Sequence, residues 1–216
     1  MSWFFYVGRV AARVVIFLGT RRQVRGKENV PRQGPLLIVA NHLNLADPPL
    51  LSVSLNRKVV FMAKEELFRA RFSSYFIRGF GAFPVRREQL DRKALRQANQ
   101  MLADGLALIM FPEGKRSRSA QLQSASSGSA LIASHNGVPI LPVGIIGTEK
   151  MTGKLWPLRR PRITVNIGRP FHLPPVSTKF TKLKLAESTD SIMQHIAELL
   201  PLEYRGEYAG EGNQPA

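Results

Sequence analysis

The chain has 216 residues, with 31 Lys and Arg against 15 Asp and Glu, for a formal net charge of +16. Apolar residues make up 44% of it, which excludes a disordered polycation and leaves the charge on the surface of a folded domain. Cysteine is absent, which excludes disulfides, zinc-thiolate sites and a cysteine nucleophile. The four histidines (His42, His135, His172 and His195) are far apart in sequence, so no metal site is expected. The charge surplus calls for an anionic counterpart: nucleic acid, an anionic membrane or a phosphorylated substrate.

Residues 1–19 are almost all apolar apart from Arg9 and Arg13, which share one helical face. A bilayer span needs about 20 apolar residues and resists charge near its centre. A signal peptide carries its charge before the apolar run, which is not the order here. The pattern therefore predicts an amphipathic helix lying in the membrane interface, arginines toward the headgroups. A terminal helix docked on the core and a true span are the alternatives. Basic residues continue at Arg21, Arg22 and Arg25, so residues 1–24 are assigned to this helix and a basic linker.

Beyond the turn at 31–34, Pro35 to Ala40 is a continuously apolar strand. Pro48-Pro49 opens a helix to Leu55, with Asp47 as its cap. Strands follow at 59–62 and 81–85, the latter an edge strand because of Pro84, with a helix or helix and loop at 67–78 between them. Residues 89–104 form an amphipathic helix stopped by Gly105. Residues 106–111 are expected to be the most central strand, followed by a helix at 128–136 and strands at 138–146 and 162–167. Ser188 or Thr189 is the expected cap of a last helix, while Lys179, Lys182 and Lys184 read as loop. Strands alternating with helices predict an α/β fold with a largely parallel central sheet flanked by helices. The folded domain is assigned to 25–203 and a flexible tail to 204–216.

Polar residues collect just beyond three predicted strands, where ligands gather in such folds. In the first cluster, His42 closes a strand and Asp47 opens a helix, with four residues between them. An Asp–His pair suits general-base chemistry on a substrate hydroxyl, and no G-x-S-x-G serine is present. A histidine that satisfies strand-end carbonyls, beside a helix-capping Asp47, is the structural alternative. The second cluster, Phe111 to Arg118, runs Phe-Pro-Glu-Gly-Lys-Arg-Ser-Arg, a phosphate-binding composition or an ordinary solvated turn. In the third, Arg86 or Arg87 at a strand end can clamp an anion. The Ser-rich stretch 117–129 reads as a substrate-facing loop.

Four blocks in order give the chain a family resemblance over about residues 25 to 200. They are Asn41, His42 and Asp47; Gly81, Phe83 and Arg86; Phe111 to Gly114 with Arg116 and Ser117; and Val138 to Val143. The chain resembles the glycerolipid acyltransferases, and among them the 1-acylglycerol-3-phosphate (lysophosphatidate) acyltransferases. Two positions depart from the family pattern: Asn44, where Ser is commoner, and Ser127 before Gly128, where Lys or Pro is commoner.

The resemblance implies acyl transfer from acyl-coenzyme A or acyl-acyl carrier protein to the 2-hydroxyl of lysophosphatidate, giving phosphatidate. His42 would act as general base and Asp47 would orient it. Arg86, Glu113, Gly114 and Arg116 would form the acceptor site. No bound cofactor is implied, and the acyl thioester is a co-substrate. The implied partners are membrane lipids, the lysophospholipid acceptor, the thioester donor and acyl carrier protein. Nucleic acid is not among them, because the basic residues form no nucleic-acid-binding signature. The implied location is the cytoplasmic face of the cell membrane, peripheral or monotopic. A sibling acyltransferase using glycerol 3-phosphate, another lysophospholipid or a lipid-linked acceptor is the alternative. A purely structural membrane-surface protein would leave the His42, Asp47 and Glu113 arrangement unexplained.

Overall fold

The computed structural model describes residues 16–69, 81–85, 92–174 and 181–210, together with Val10, Val14, Ser74 and Ile77. Seven strands form one sheet: β1 (Arg21–Arg25), β2 (Leu36–Ala40), β3 (Val59–Lys64), β4 (Ala82–Val85), β5 (Ala107–Met110), β6 (Ile140–Ile146) and β7 (Arg162–Ile167). Their order is β1-β7-β6-β2-β5-β3-β4. The helices are α1 (Asp47–Ser54), α2 (Arg92–Ala103), α3 (Gly128–Asn136), α4 (Trp156–Arg159), α5 (Lys182–Ala197) and α6 (Leu202–Arg205).

The alternation of side chains along β2 shows why both faces of the sheet are covered. All five residues of Leu36–Ala40 are buried. Leu36, Ile38 and Ala40 join one core cluster with Leu50, Leu51 and Val53 of α1. Leu37 and Val39 point the other way, into a cluster with residues of α2, α3 and α5. A strand buried on both faces reads as an unbroken apolar run, which is how this one appears in sequence. On α2, Ala94, Leu95, Ala98, Met101 and Leu102 all pack into the second cluster, as their spacing predicts. The predicted start of that helix, 89–91, lies outside the described residues, as does most of the segment predicted helical at 67–78. A 3-10 turn, Glu65–Phe68, overlaps the start of the latter.

The expected largely parallel sheet is found, with corrections in detail: β6 and β7 pair antiparallel, Val143 opposite Ile167, whereas the other neighbours pair parallel. A parallel partner needs a crossover, usually a helix of some length. The connection here holds only a 3-10 turn and the four-residue α4. The central strand is β2, with β5 beside it. Residues 21–24, expected to be basic linker, form with Arg25 the edge strand β1, which pairs in register with Arg162–Asn166 of β7. Strand β4 lies at the opposite edge, where Pro84 removes no needed donor.

The last helix begins earlier than expected. Thr181 is its cap, with Oγ1 accepting from Lys184 N at 3.3 Å. Thr189 instead lies inside α5, its hydroxyl donating to Leu185 O. Lys182 and Lys184 occupy the solvated first turn, which hid the helix from an apolar-periodicity reading. Past Tyr204, expected to be loose, Arg205 Nε donates to Leu200 O and Gly206–Tyr208 forms a 3-10 turn. The Tyr204 ring is the anchor: its hydroxyl donates to Glu149 Oε1 at 2.8 Å, and its carbonyl accepts from Leu122 N. Among the described residues no helix is long and apolar enough to cross a membrane.

Candidate functional site

Strand β2 ends where its polar residues begin, and the first of them extends the sheet. Asn41 Nδ2 donates to Ile145 O at 2.8 Å, and its Oδ1 accepts from Ile145 N at 2.7 Å. The carboxamide thus supplies the two bonds a further backbone unit of β2 would have made to β6. The main chain is released from the sheet at His42 with no buried amide or carbonyl of Ile145 left unpaired.

The next residues wrap around one carboxylate. Asp47 is fully buried, and its Oδ2 accepts from three donors: His42 Nδ1 at 2.8 Å, Leu43 N at 2.7 Å and Asn44 N at 2.7 Å. Asp47 was expected to cap α1 from outside. It is instead the first residue of the helix, behind Ala46, and its carboxylate turns back over the preceding loop. Asn44 completes the turn, with Oδ1 accepting from Ala46 N and Nδ2 donating to Met151 O at 3.3 Å. A carboxylate can only accept, so the neutral imidazole carries its proton on Nδ1 and its lone pair on Nε2. Among the described residues Nε2 has no hydrogen-bond partner. The ring stacks on Phe111, centroids 4.2 Å apart and planes 22° apart.

The loop after β5 reaches the same place from the neighbouring strand. Glu113 is buried, and its carboxylate spans two segments: Oε1 accepts from His42 N at 3.0 Å and Oε2 from Gln123 N at 3.2 Å. Ser117 N in turn donates to His42 O at 2.7 Å. The backbone of His42 is therefore held on both its N–H and its C=O by the Phe111–Ser117 segment. Burial pushes the Glu113 carboxyl up to about 7, against the pull of its two backbone donors; the Asp47 charge adds to the rise and Lys115 offsets part of it. Gly114 turns the chain at a φ of +67°, with nothing near enough for a Cβ to strike, so backbone conformation rather than space favours glycine there.

His42, Asp47 and Glu113 converge in a buried network. Gly114, Lys115, Arg116 and Arg118 are on the exposed side of the same loop. Arg86 follows the last residue of β4 and lies outside the described residues, as does Arg87. In the sequence Asn41, Phe111 and Ser117 stand out only as parts of motifs; the structure shows Asn41 and the Ser117 amide fixing the loops and Phe111 supporting the ring. An asparagine just before the strand-end histidine was the available signal for the first. His195 has the structural role that His42 could have had: its ring stacks on Phe171 and Nδ1 bonds Ser191 O within α5. The chemistry available is a histidine with a fixed tautomer, a buried carboxylate partner and a basic nitrogen with no partner among the described residues, beside exposed basic side chains.

The family model described as Acyltransferase matches residues 21–146. The chain is 28% identical over 190 residues to the 1-acyl-sn-glycerol-3-phosphate acyltransferase of Bacillus subtilis, covering 88% of this chain and 93% of that one. It is 28% identical over 194 residues to the chloroplastic 1-acyl-sn-glycerol-3-phosphate acyltransferase of Arabidopsis thaliana, covering 86% of this chain. The match spans only 54% of the Arabidopsis protein's length. The crystal structure of the 1-acyl-sn-glycerophosphate acyltransferase PlsC from Thermotoga maritima superposes with a TM-score of 0.71, at 26% identity, over 97% of this chain and 81% of that one.

Proposed function

Since this chain belongs to the acyltransferase family, we propose that it transfers a fatty acyl group from an acyl thioester to the 2-hydroxyl of lysophosphatidate, giving phosphatidate. The observation that carries the proposal is the His42 Nδ1 to Asp47 Oδ2 bond, which leaves Nε2 as a base. In the forward step Nε2 takes the proton of the acceptor hydroxyl as its oxygen attacks the thioester carbonyl. The new C–O bond forms and negative charge collects on the former carbonyl oxygen. Asp47 stabilises the imidazolium that results. Collapse of the tetrahedral intermediate breaks the C–S bond, and the thiolate leaves with the proton returned by His42. The enzyme is never acylated.

Glu113 acts from behind in this scheme, as a positioning residue. Its oxygens hold the His42 and Gln123 amides, so its effect on the acceptor is through the loop. Arg86 and Arg116, with the turn at Gly114, provide the cationic groups for the acceptor phosphate. The donor is acyl-coenzyme A or acyl-acyl carrier protein, and the protein works at the cytoplasmic face of a membrane. What supports a membrane interface helix is that Val10, Val14, Phe17 and Leu18, at one-face helical spacing, are all exposed.

The test is transfer of labelled acyl groups from both donor types to a panel of lysophosphatidate, glycerol 3-phosphate and other lysophospholipids. Lysophosphatidate is expected to be the preferred acceptor. Preference for glycerol 3-phosphate or a different lysophospholipid would replace it by that sibling activity. Absence of transfer to every acceptor would end the proposal.

A further inference from the structure

The exposed apolar surface is not confined to the N-terminal helix. Leu155 and Leu158 are 68% and 78% exposed, as open as Phe17 and Leu18 at 69% and 62%. Leu158 N donates to Leu155 O, so the two leucines lie one tight turn apart at α4. The loop that presents them is held in shape. The Arg159 guanidinium donates to Thr152 O, and Arg160 ends the turn in the left-handed region at a φ of 44°. A solvated turn of this length is ordinarily built of polar residues, and this one projects two leucines.

The flanks carry one sign of charge. Lys150, Lys154, Arg159, Arg160 and Arg162 are exposed, and no acidic residue occurs between positions 150 and 162. Apolar tips inside a ring of cations match a bilayer surface, with leucines reaching the acyl chains and Lys and Arg at the phosphates.

Two contacts tie this loop to parts of the molecule that face lipid in the proposed function. A Cβ on Gly19 would lie 3.0 Å from the Trp156 ring and 3.2 Å from Pro157 Cβ, so the end of the N-terminal helix rests directly on α4. At the other end, Met151 O accepts from Asn44 of the His42 turn, where Leu45 is 60% exposed. We propose that residues 151–160 are a second lipid-inserting element, distinct from the N-terminal helix, that docks the protein on an anionic phospholipid surface. The inference concerns docking and stands whether or not the acceptor is lysophosphatidate.

The absence of cysteine lets one introduced thiol report alone. L158C and, separately, F17C carry an environment-sensitive fluorophore on the full chain. Vesicles contain phosphatidylglycerol and nitroxide lipids. The expected result is a blue shift and nitroxide quenching at both positions. Quenching at 17 with a water-exposed label at 158 would overturn the proposal while leaving the helix in place. An L158C label shielded by acyl carrier protein and not by vesicles would also overturn it, in favour of a protein partner. In a second measurement, L155S/L158S should weaken partitioning onto these vesicles by roughly tenfold per leucine, with unchanged thermal unfolding. Partitioning equal to that of the parent protein would overturn the proposal independently of any label.

Discussion

The loops that leave β2 and β5 start from adjacent parallel strands and treat their polar groups in opposite ways. After β2, Asn41, His42 and Asp47 are all buried, and their hydrogen bonds stay inside the molecule. After β5, Glu113 and Ser117 face inward to the first loop, while Lys115, Arg116 and Arg118 face water. One loop is organised before any ligand arrives, so its imidazole needs no reorientation to act. The other leaves its basic side chains exposed to water. In the proposed function the difference assigns chemistry to one loop and binding to the other, and that assignment can be broken from either side.

The largest effect belongs to the buried loop. His42→Ala should lower turnover by on the order of 10³-fold or more while the protein still unfolds cooperatively at a similar temperature. Turnover near normal would remove the base. Asp47→Asn keeps an oxygen for the three donors and deletes the charge. It should cut kcat by about 100-fold with a smaller change in KM, measured under saturating thioester. A rise in KM alone would detach Asp47 from the proton transfer. The exposed loop should respond differently. Arg116→Ala should raise KM for the phosphorylated acceptor by about tenfold, leave kcat nearly unchanged and leave stability untouched. A fall in kcat there would erase the distinction between the two loops.

The smallest effect sits at Glu113, which joins the loops. Its carboxyl titrates near 4.5 as a free group and about 7 when folded. Between those values the folded protein holds a proton that the unfolded chain has lost. Its contribution to stability is therefore full below about 4.5 and is lost as pH rises through 7. Denaturant unfolding of Glu113→Gln should show a flatter dependence across that window than the parent. Parallel curves would mean that the buried carboxyl does not titrate there.

Much of the architecture was legible where a residue acts through its own neighbours. The five buried residues of β2, the stripe on α2 and the α3 span ending at Gly137 all appear in the sequence as local patterns. The His42–Asp47 pair was legible for the same reason, since five positions separate partners that one tight turn can join. The strand at Arg21–Arg25 was hidden because edge residues alternate exposed and half-buried and carry three arginines. The start of α5 was hidden because its first turn is cationic and its apolar stripe begins only at Leu185. The turn of β7 against β6 was recoverable in principle from the missing crossover helix.

Residue types and their order determined an α/β domain, a histidine paired with a nearby aspartate, and a cationic turn after an apolar strand. Only the tertiary structure decided that Glu113 grips the amide of His42 from 71 residues away, and that Asn41 takes the place of a sheet residue opposite Ile145, 104 residues on. Local pattern reports which residues are buried and with what period. It does not report which strands become neighbours, and hydrogen bonds between distant loops exist only once the order β6-β2-β5 has brought their ends together.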